Sequence, residues 1–140
     1  MGLFTVNQER AVQSEILNLV NNNCPSVKAM AEGPRVEQRV NLTIPVKLVP
    51  ILEGELAPLH TLSVVTKEFS SGGFSVVVDH PHVPKDAVVL FRSGRKTTFI
   101  QAQLRHIDPI GAGFYQCGFK LLKVLAHSDW PTLQELAETL

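Results

Sequence analysis

The middle of the chain alternates between apolar and polar residues with a period of two, which is typical of β-strands with one buried face. The pattern is clearest from position 40 to position 48, where apolar residues hold the even positions. Because Pro45 cannot donate to a strand ladder, we expect an edge or a bulge there. Five further strands are predicted at 62–69, 74–79, 87–91, 97–107 and 114–122. The last two form a predicted hairpin around the turn sequence DPIGAG.

Helical spacing replaces this alternation near both ends of the sequence. Residues 5–20 predict a helix that ends at three consecutive asparagines, and a connector containing proline and glycine follows over 24–34. Residues 128–140 predict a second helix that plugs or flanks the strands. Thr132 and Glu135 offer it a capping box.

Six short strands separated by turn signals predict a mainly β protein, an antiparallel barrel that closes its own edges. We expect two parts. Residues 1–30 form the N-terminal helix and connector, and residues 31–140 form the barrel domain with its C-terminal helix.

Composition narrows the range of functions. The 140 residues suit one domain, and 44% hydrophobic with 19% charged residues is ordinary for a globular protein. Lys and Arg number 13, as do Asp and Glu, so no global positive field exists to hold a long nucleic acid. No apolar run has the roughly 18 residues of a membrane span, and the start lacks a signal-peptide pattern. The two cysteines lie far apart in the sequence, which suggests thiols in a reducing compartment. We therefore expect a cytoplasmic location.

Two segments carry groups suited to an anionic ligand. The first is RVEQR, which places Arg35 and Arg39 between the connector and the first strand. A planar guanidinium matches phosphate oxygens and also the O6/N7 edge of guanine. Taken alone, the pair is equally typical of a solvated surface with Glu37 as a charge partner.

The second segment is EFSSGGFSV, at a strand–turn–strand junction. The Glu68 carboxylate can accept the two N–H donors of a guanine Watson–Crick edge, and Ser70 offers a hydroxyl. The paired glycines, which include Gly73, let a backbone approach a ligand closely. Taken alone, the segment is typical of a plain hairpin turn.

Together, an R-x-x-x-R before the first strand and an [D/N]-x-S-x-x-G-like sequence some thirty residues later resemble the PilZ domain family. The resemblance covers about residues 34–125 and implies a six-stranded split-type barrel with a helix. It also implies that the ligand is cyclic di-GMP, often bound as a stacked dimer.

The resemblance assigns roles to individual residues. Arg35 and Arg39 would contact phosphate and the guanine Hoogsteen edge, whereas Ser70 and Gly73 would line the pocket of the second guanine. Glu68 would stand at the base-reading position, where the family prefers Asp or Asn.

The function that this implies is a second-messenger receptor or adaptor that changes conformation when the nucleotide binds, with no cofactor and no catalytic residues. Its expected partners are cyclic di-GMP and an unidentified effector protein. The N-terminal helix is the first candidate for an effector or homodimer contact. The alternative is a degenerate PilZ-like module that binds proteins and no nucleotide.

Other chemistry in the sequence is weaker. The run from Asp79 to His82 holds metal-capable groups but no third spaced ligand, so we interpret it as a polar turn. The histidine at 106 belongs to no visible constellation. Five basic residues with only Asp86 between them predict solvated strand and turn faces, and the alternative is a positive field near the ligand. They are Lys85, Arg92, Arg95, Lys96 and Arg105.

Overall fold

Eight β-strands and a short C-terminal α-helix make up most of the described part of the chain. A computed structural model describes residues 8, 10–12, 40–70, 72–93, 96–126 and 132–139. The strands are β1 (Val40–Asn41), β2 (Pro45–Leu52), β3 (Glu55–Leu56), β4 (Leu62–Phe69), β5 (Gly73–Val78), β6 (Asp86–Ser93), β7 (Lys96–Gly111) and β8 (Phe114–Leu125). A single 3-10 turn spans Pro58–His60 and the helix α1 spans Thr132–Thr139.

Six of the strands close into an antiparallel barrel. The strands β4, β5, β8, β7, β6 and β2 pair in that order, and β2 pairs back with β4. The short β1 pairs with the far end of β4, and β3 forms a hairpin with the end of β2. The predicted mainly β, six-stranded antiparallel barrel is therefore confirmed.

The strand bounds follow the sequence pattern, with two clear differences. The first predicted strand, 40–48, is divided into β1 and β2 and continues to Leu52. The second difference is at the last hairpin. There β7 and β8 run on through most of DPIGAG to a two-residue turn at Ala112 and Gly113. Both residues have positive φ, 54° and 81°, as a type I′ turn requires. Alanine rarely adopts this conformation, so the predicted turn was too long.

A buried threonine bridges the break between β1 and β2. Thr66 is 2% exposed, and its Oγ1 donates to the carbonyl of Leu42 at 2.6 Å. The same oxygen accepts from the N–H of Ile44 at 3.0 Å. The irregularity that we expected at Pro45 lies directly before it, and a side chain completes the hydrogen bonds that the ladder loses there.

Aromatic side chains fill the barrel interior. Phe74 packs against Phe69, Phe91 and Phe119 with ring centroids 5.9, 5.6 and 5.5 Å away. Val12 is 1% exposed and belongs to this cluster. Residues 8 and 10–12 are helical; the rest of the helix predicted at 5–20 and the whole connector at 24–34 lie outside the described residues.

A second apolar cluster lies on the outside of the barrel, where α1 packs. Leu133 and Leu136 are buried there against side chains of β2, β6, β7 and β8. Because β6 is covered on both faces, every residue of its central run Ala87 to Phe91 is buried. The helix α1 lies within the predicted range 128–140 and flanks the barrel wall. No helix in the described ranges is long and apolar enough to cross a membrane.

We predict that Thr66→Val lowers the free energy of unfolding by about 1–3 kcal/mol, because it removes both hydrogen bonds at the break and leaves buried backbone groups unpaired. Urea denaturation followed by circular dichroism measures this change. Thr61→Val is the matched control, since its hydroxyl donates only to the exposed carbonyl of Pro58. Equal losses in the two variants would contradict the bridging role.

A candidate ligand-binding groove

A groove on the outer wall of the barrel crosses four neighbouring strands, β4, β5, β8 and β7. It has a volume of about 330 Å³. Three of the residues that the sequence singled out, Glu68, Ser70 and Gly73, line it together. Its other polar and glycine residues are Gly72, Ser75, Arg105, His106, Gln116, Gly118 and Lys120.

The floor of the groove is flat because two small residues meet there. Ser75 on β5 is paired directly with Gly118 on β8, and Ser75 is 7% exposed. Since neighbouring strands lie about 4.8 Å apart, larger side chains at these positions would fill the space above the sheet. The side chains of this small pair leave the sheet surface low, and the ring of His106 lies over the Gly118 half of the floor.

A β-bulge in β4 turns two consecutive polar side chains outward. The pairing of β4 with β5 shifts register between Thr66 and Glu68. Thr66 and Phe69 are buried, whereas Lys67 is exposed and Glu68 is half-buried. Regular alternation would send one of the two charged residues into the core, so the bulge keeps both on the outer face.

A bulge in β7 does the same on the opposite side of the floor. The pairing of β7 with β8 shifts register between Leu104 and His106. Leu104 and Ile107 pack against the barrel core, while Arg105 and His106 between them are exposed. Both outward residues line the groove.

Gln116 holds the carboxylate of Glu68 toward the floor. The amide nitrogen of Gln116 donates to Oε1 of Glu68 at 3.5 Å and to Oγ of Ser75 at 3.4 Å. Its carbonyl oxygen accepts from Nζ of Lys67 at 3.2 Å. The side chain of Glu68, one methylene longer than aspartate, is thus drawn across β5 toward β8 and lies along the groove.

The β4–β5 turn that carries Ser70 and Gly73 is also a tight hairpin. The N–H of Ser70 donates to the carbonyl of Gly73 at 2.9 Å, and the carbonyl of Gly72 accepts from the N–H of Leu121 at 2.8 Å. A Cβ on Gly73 would lie 2.5 Å from the carbonyl oxygen of Phe119. The hairpin interpretation and the ligand-site interpretation of this segment are therefore compatible.

His106 was the main residue that sequence reasoning missed. Its Nδ1 lies 3.0 Å from Oδ2 of Asp108, and its ring occupies the space where a Cβ on Gly118 would be. Two signals could have indicated it. His and Asp two apart on a strand share one face, and a glycine inside a strand often marks a close approach.

The remaining predicted residues divide into three groups. Arg35 and Arg39 lie outside the described residues, so their roles stay predictions. Of the five basic residues, Arg105 lines the groove, while Lys85 and Arg92 lie elsewhere on the barrel. The other two, Arg95 and the side chain of Lys96, lie outside the described part.

The histidine-rich run has its own local contacts. The rings of His80 and His82 stack with centroids 5.9 Å apart, and Nδ1 of His80 accepts from the backbone N–H of His82 at 3.2 Å. Within the described ranges, no three histidine, cysteine, aspartate or glutamate residues form a group that could hold a metal ion.

Comparison with known proteins finds a distant likeness among the solved structures. No family model matches the sequence, and no curated protein matches it. Among solved structures, the Bacillus subtilis inhibitor of motility, MotI/DgrA, is similar with a TM-score of 0.49 and 14% identity. The match covers 74% of this chain and 49% of that chain, so this chain spans about half its length. A likeness this distant does not bear on function.

We predict that two glycine-to-alanine changes in the groove differ in their effect. Gly73→Ala sets a methyl group against the Phe119 backbone, which cannot move freely, and should cost about 1–3 kcal/mol of unfolding free energy. Gly118→Ala meets only the ring of His106, an exposed side chain that can move aside by giving up its contact with Asp108, and should stay within about 1 kcal/mol of wild type. Chemical denaturation measures both. A greater loss for Gly118→Ala would contradict this order.

Cys117 lies inside the barrel, behind the floor of the groove, and is fully buried. Burial raises the pKa of its thiol, and the negative charge of Asp108 raises it further. Because only the thiolate reacts, we predict slow alkylation of the folded protein in a Cys24→Ser background and fast alkylation after unfolding in urea. Mass spectrometry after iodoacetamide treatment follows it; fast labelling of the folded protein at mildly alkaline pH would contradict the prediction.

Proposed function

We propose that this protein is a cyclic di-GMP receptor that binds its ligand in the outer groove and acts as a signalling adaptor. The observation that carries the proposal is the shared location of Glu68, Ser70 and Gly73. These three residues, chosen from the sequence alone, line one groove together with the basic residues Arg105 and Lys120.

The groove offers chemistry that suits each part of such a ligand. A carboxylate accepts from the N–H donors of a guanine base, and guanidinium and ammonium groups attract phosphate oxygens. Since the whole chain has no net charge, the attraction for a dianion has to come from a local cluster such as Arg105 and Lys120. A planar base can lie over the Ser75 half of the floor, beside the His106 ring that covers Gly118.

The connectivity of the chain places the arginine pair within reach of this groove. Arg39 is bonded to Val40, the first residue of β1, and Val40 pairs with Phe69 at the Ser70 end of β4. The segment that carries both arginines therefore meets the barrel at Val40, beside the groove, because adjacent Cα atoms are only about 3.8 Å apart. Only three residues separate Arg35 from Arg39 in the sequence.

Ligand binding at the connector supplies a mechanism for signalling. Each charge-assisted hydrogen bond from Arg35 or Arg39 contributes about 1.5–3 kcal/mol, which offsets the cost of about 1–2 kcal/mol for ordering each residue. Val12, which packs in the barrel core, lies on the other side of the connector. Ordering the connector would shift that contact and pass the signal to an effector.

We predict that isothermal titration calorimetry detects cyclic di-GMP binding to the wild-type protein. Arg35→Ala or Arg39→Ala should weaken it by about 10- to 100-fold, because each removes charge-assisted hydrogen bonds. Ser70→Ala should weaken it by about 2- to 10-fold, since it removes one neutral hydrogen bond.

The matched control is Arg92→Ala, which removes the same charge from an exposed position on β6 outside the groove. It should bind as the wild type does. Equal affinities across all four variants would refute the assignment of the site, and no heat of binding with wild type would refute the function.

The alternative, a PilZ-like barrel that binds a protein in place of a nucleotide, has one observation in its favour. Ile110 and Phe114 flank the β7–β8 turn and are 46% and 44% exposed. Apolar side chains at a protruding turn suit a protein contact. Failure of cyclic di-GMP to bind, with the fold intact, would favour this alternative.

A further inference from the structure

We propose that His106 is the base-stacking residue of the groove, and that its imidazole supports a guanine ring of the bound nucleotide. The inference rests on the proposed function and adds a residue that the signature motifs do not contain. Three features of the structure lead to it.

The first feature is the surface against which the imidazole ring of His106 packs. A Cβ on Gly118 would clash with Nε2, Cε1 and Cδ2 of His106, so the ring lies over the bare backbone of β8. The His106 side chain nevertheless remains 56% exposed. The Nε2 end of the imidazole therefore rests against the sheet, and the exposed part of the ring borders the groove, where a planar base can stack.

The second feature is a polar contact that orients the imidazole ring. Nδ1 of His106 lies 3.0 Å from Oδ2 of Asp108, which follows two residues later on the same face of β7. A hydrogen bond at this distance fixes the rotation of the ring. A ring held in place before the ligand arrives loses little side-chain freedom on binding, which favours affinity.

The third feature is the position across the floor. Register places Glu68, Ser75, Gly118 and His106 in one row over four adjacent strands. Three strand spacings of about 4.8 Å separate the two ends of that row by about 14 Å. A base that meets the carboxylate of Glu68 with its edge can extend over Ser75 and cover the exposed part of the imidazole, which lies over Gly118. The β7 bulge that turns His106 outward completes this arrangement.

Calorimetry with cyclic di-GMP tests the inference on the full chain. His106→Ala should weaken binding by about 5- to 150-fold, the range for loss of one stacked base. His106→Phe keeps a planar ring without the bond to Asp108 and should recover most of that loss. His60→Ala removes an exposed histidine outside the groove and should bind as the wild type does.

A second measurement separates stacking from a purely structural role. In wild-type protein, a stacked guanine should move the carbon-bound ring protons of His106 upfield in the NMR spectrum during the titration. If wild type binds but these protons do not move, or if His106→Ala binds as tightly as wild type, the stacking role is overturned while the proposed function stands. If wild type does not bind at all, both fail together.

Discussion

Closure of the barrel by the pairing of β2 with β4 is the constraint on which the rest of the structure depends. Closure determines which side of every strand faces the core. Between β1 and β2, where the strand is interrupted, the side chain of Thr66 supplies the hydrogen bonds that the ladder lacks. The outer walls then differ. α1 covers the wall around β6, so that wall is apolar, whereas the wall formed by β4, β5, β8 and β7 carries the polar groove. The position of the groove follows from closure and from the side that α1 occupies.

Two bulges give this wall its chemistry. A strictly alternating strand can present only every second residue to the outside, so adjacent polar residues would be incompatible with a filled core. The register shifts in β4 and β7 relax this rule at Lys67–Glu68 and at Arg105–His106, on opposite sides of the small floor. A carboxylate and cationic groups are thereby brought to one site without placing a charge in the barrel interior.

Much of the fold could be predicted from sequence because strand alternation is local; β4 has the predicted bounds 62–69. Of the residues that line the groove, Glu68, Ser70 and Gly73 could be predicted because they lie in one local sequence motif. The contact of His106 with Gly118 depends on pairing register, a property of the closed sheet that a local pattern does not contain. The short turn escaped prediction because Ala112 adopts a positive φ. The roles of the two connector arginines stay predictions.

The central claim is that a guanine dinucleotide binds on the outer wall formed by β4, β5, β8 and β7. Chemical-shift mapping of backbone amides during titration with cyclic di-GMP tests it most directly. The account predicts that the largest changes fall on Glu68–Ser75, Arg105–His106 and Gln116–Lys120, and that α1 and the outer face of β6 stay unchanged. Changes centred on α1 and β6, or a spectrum unaffected by saturating nucleotide, would contradict it.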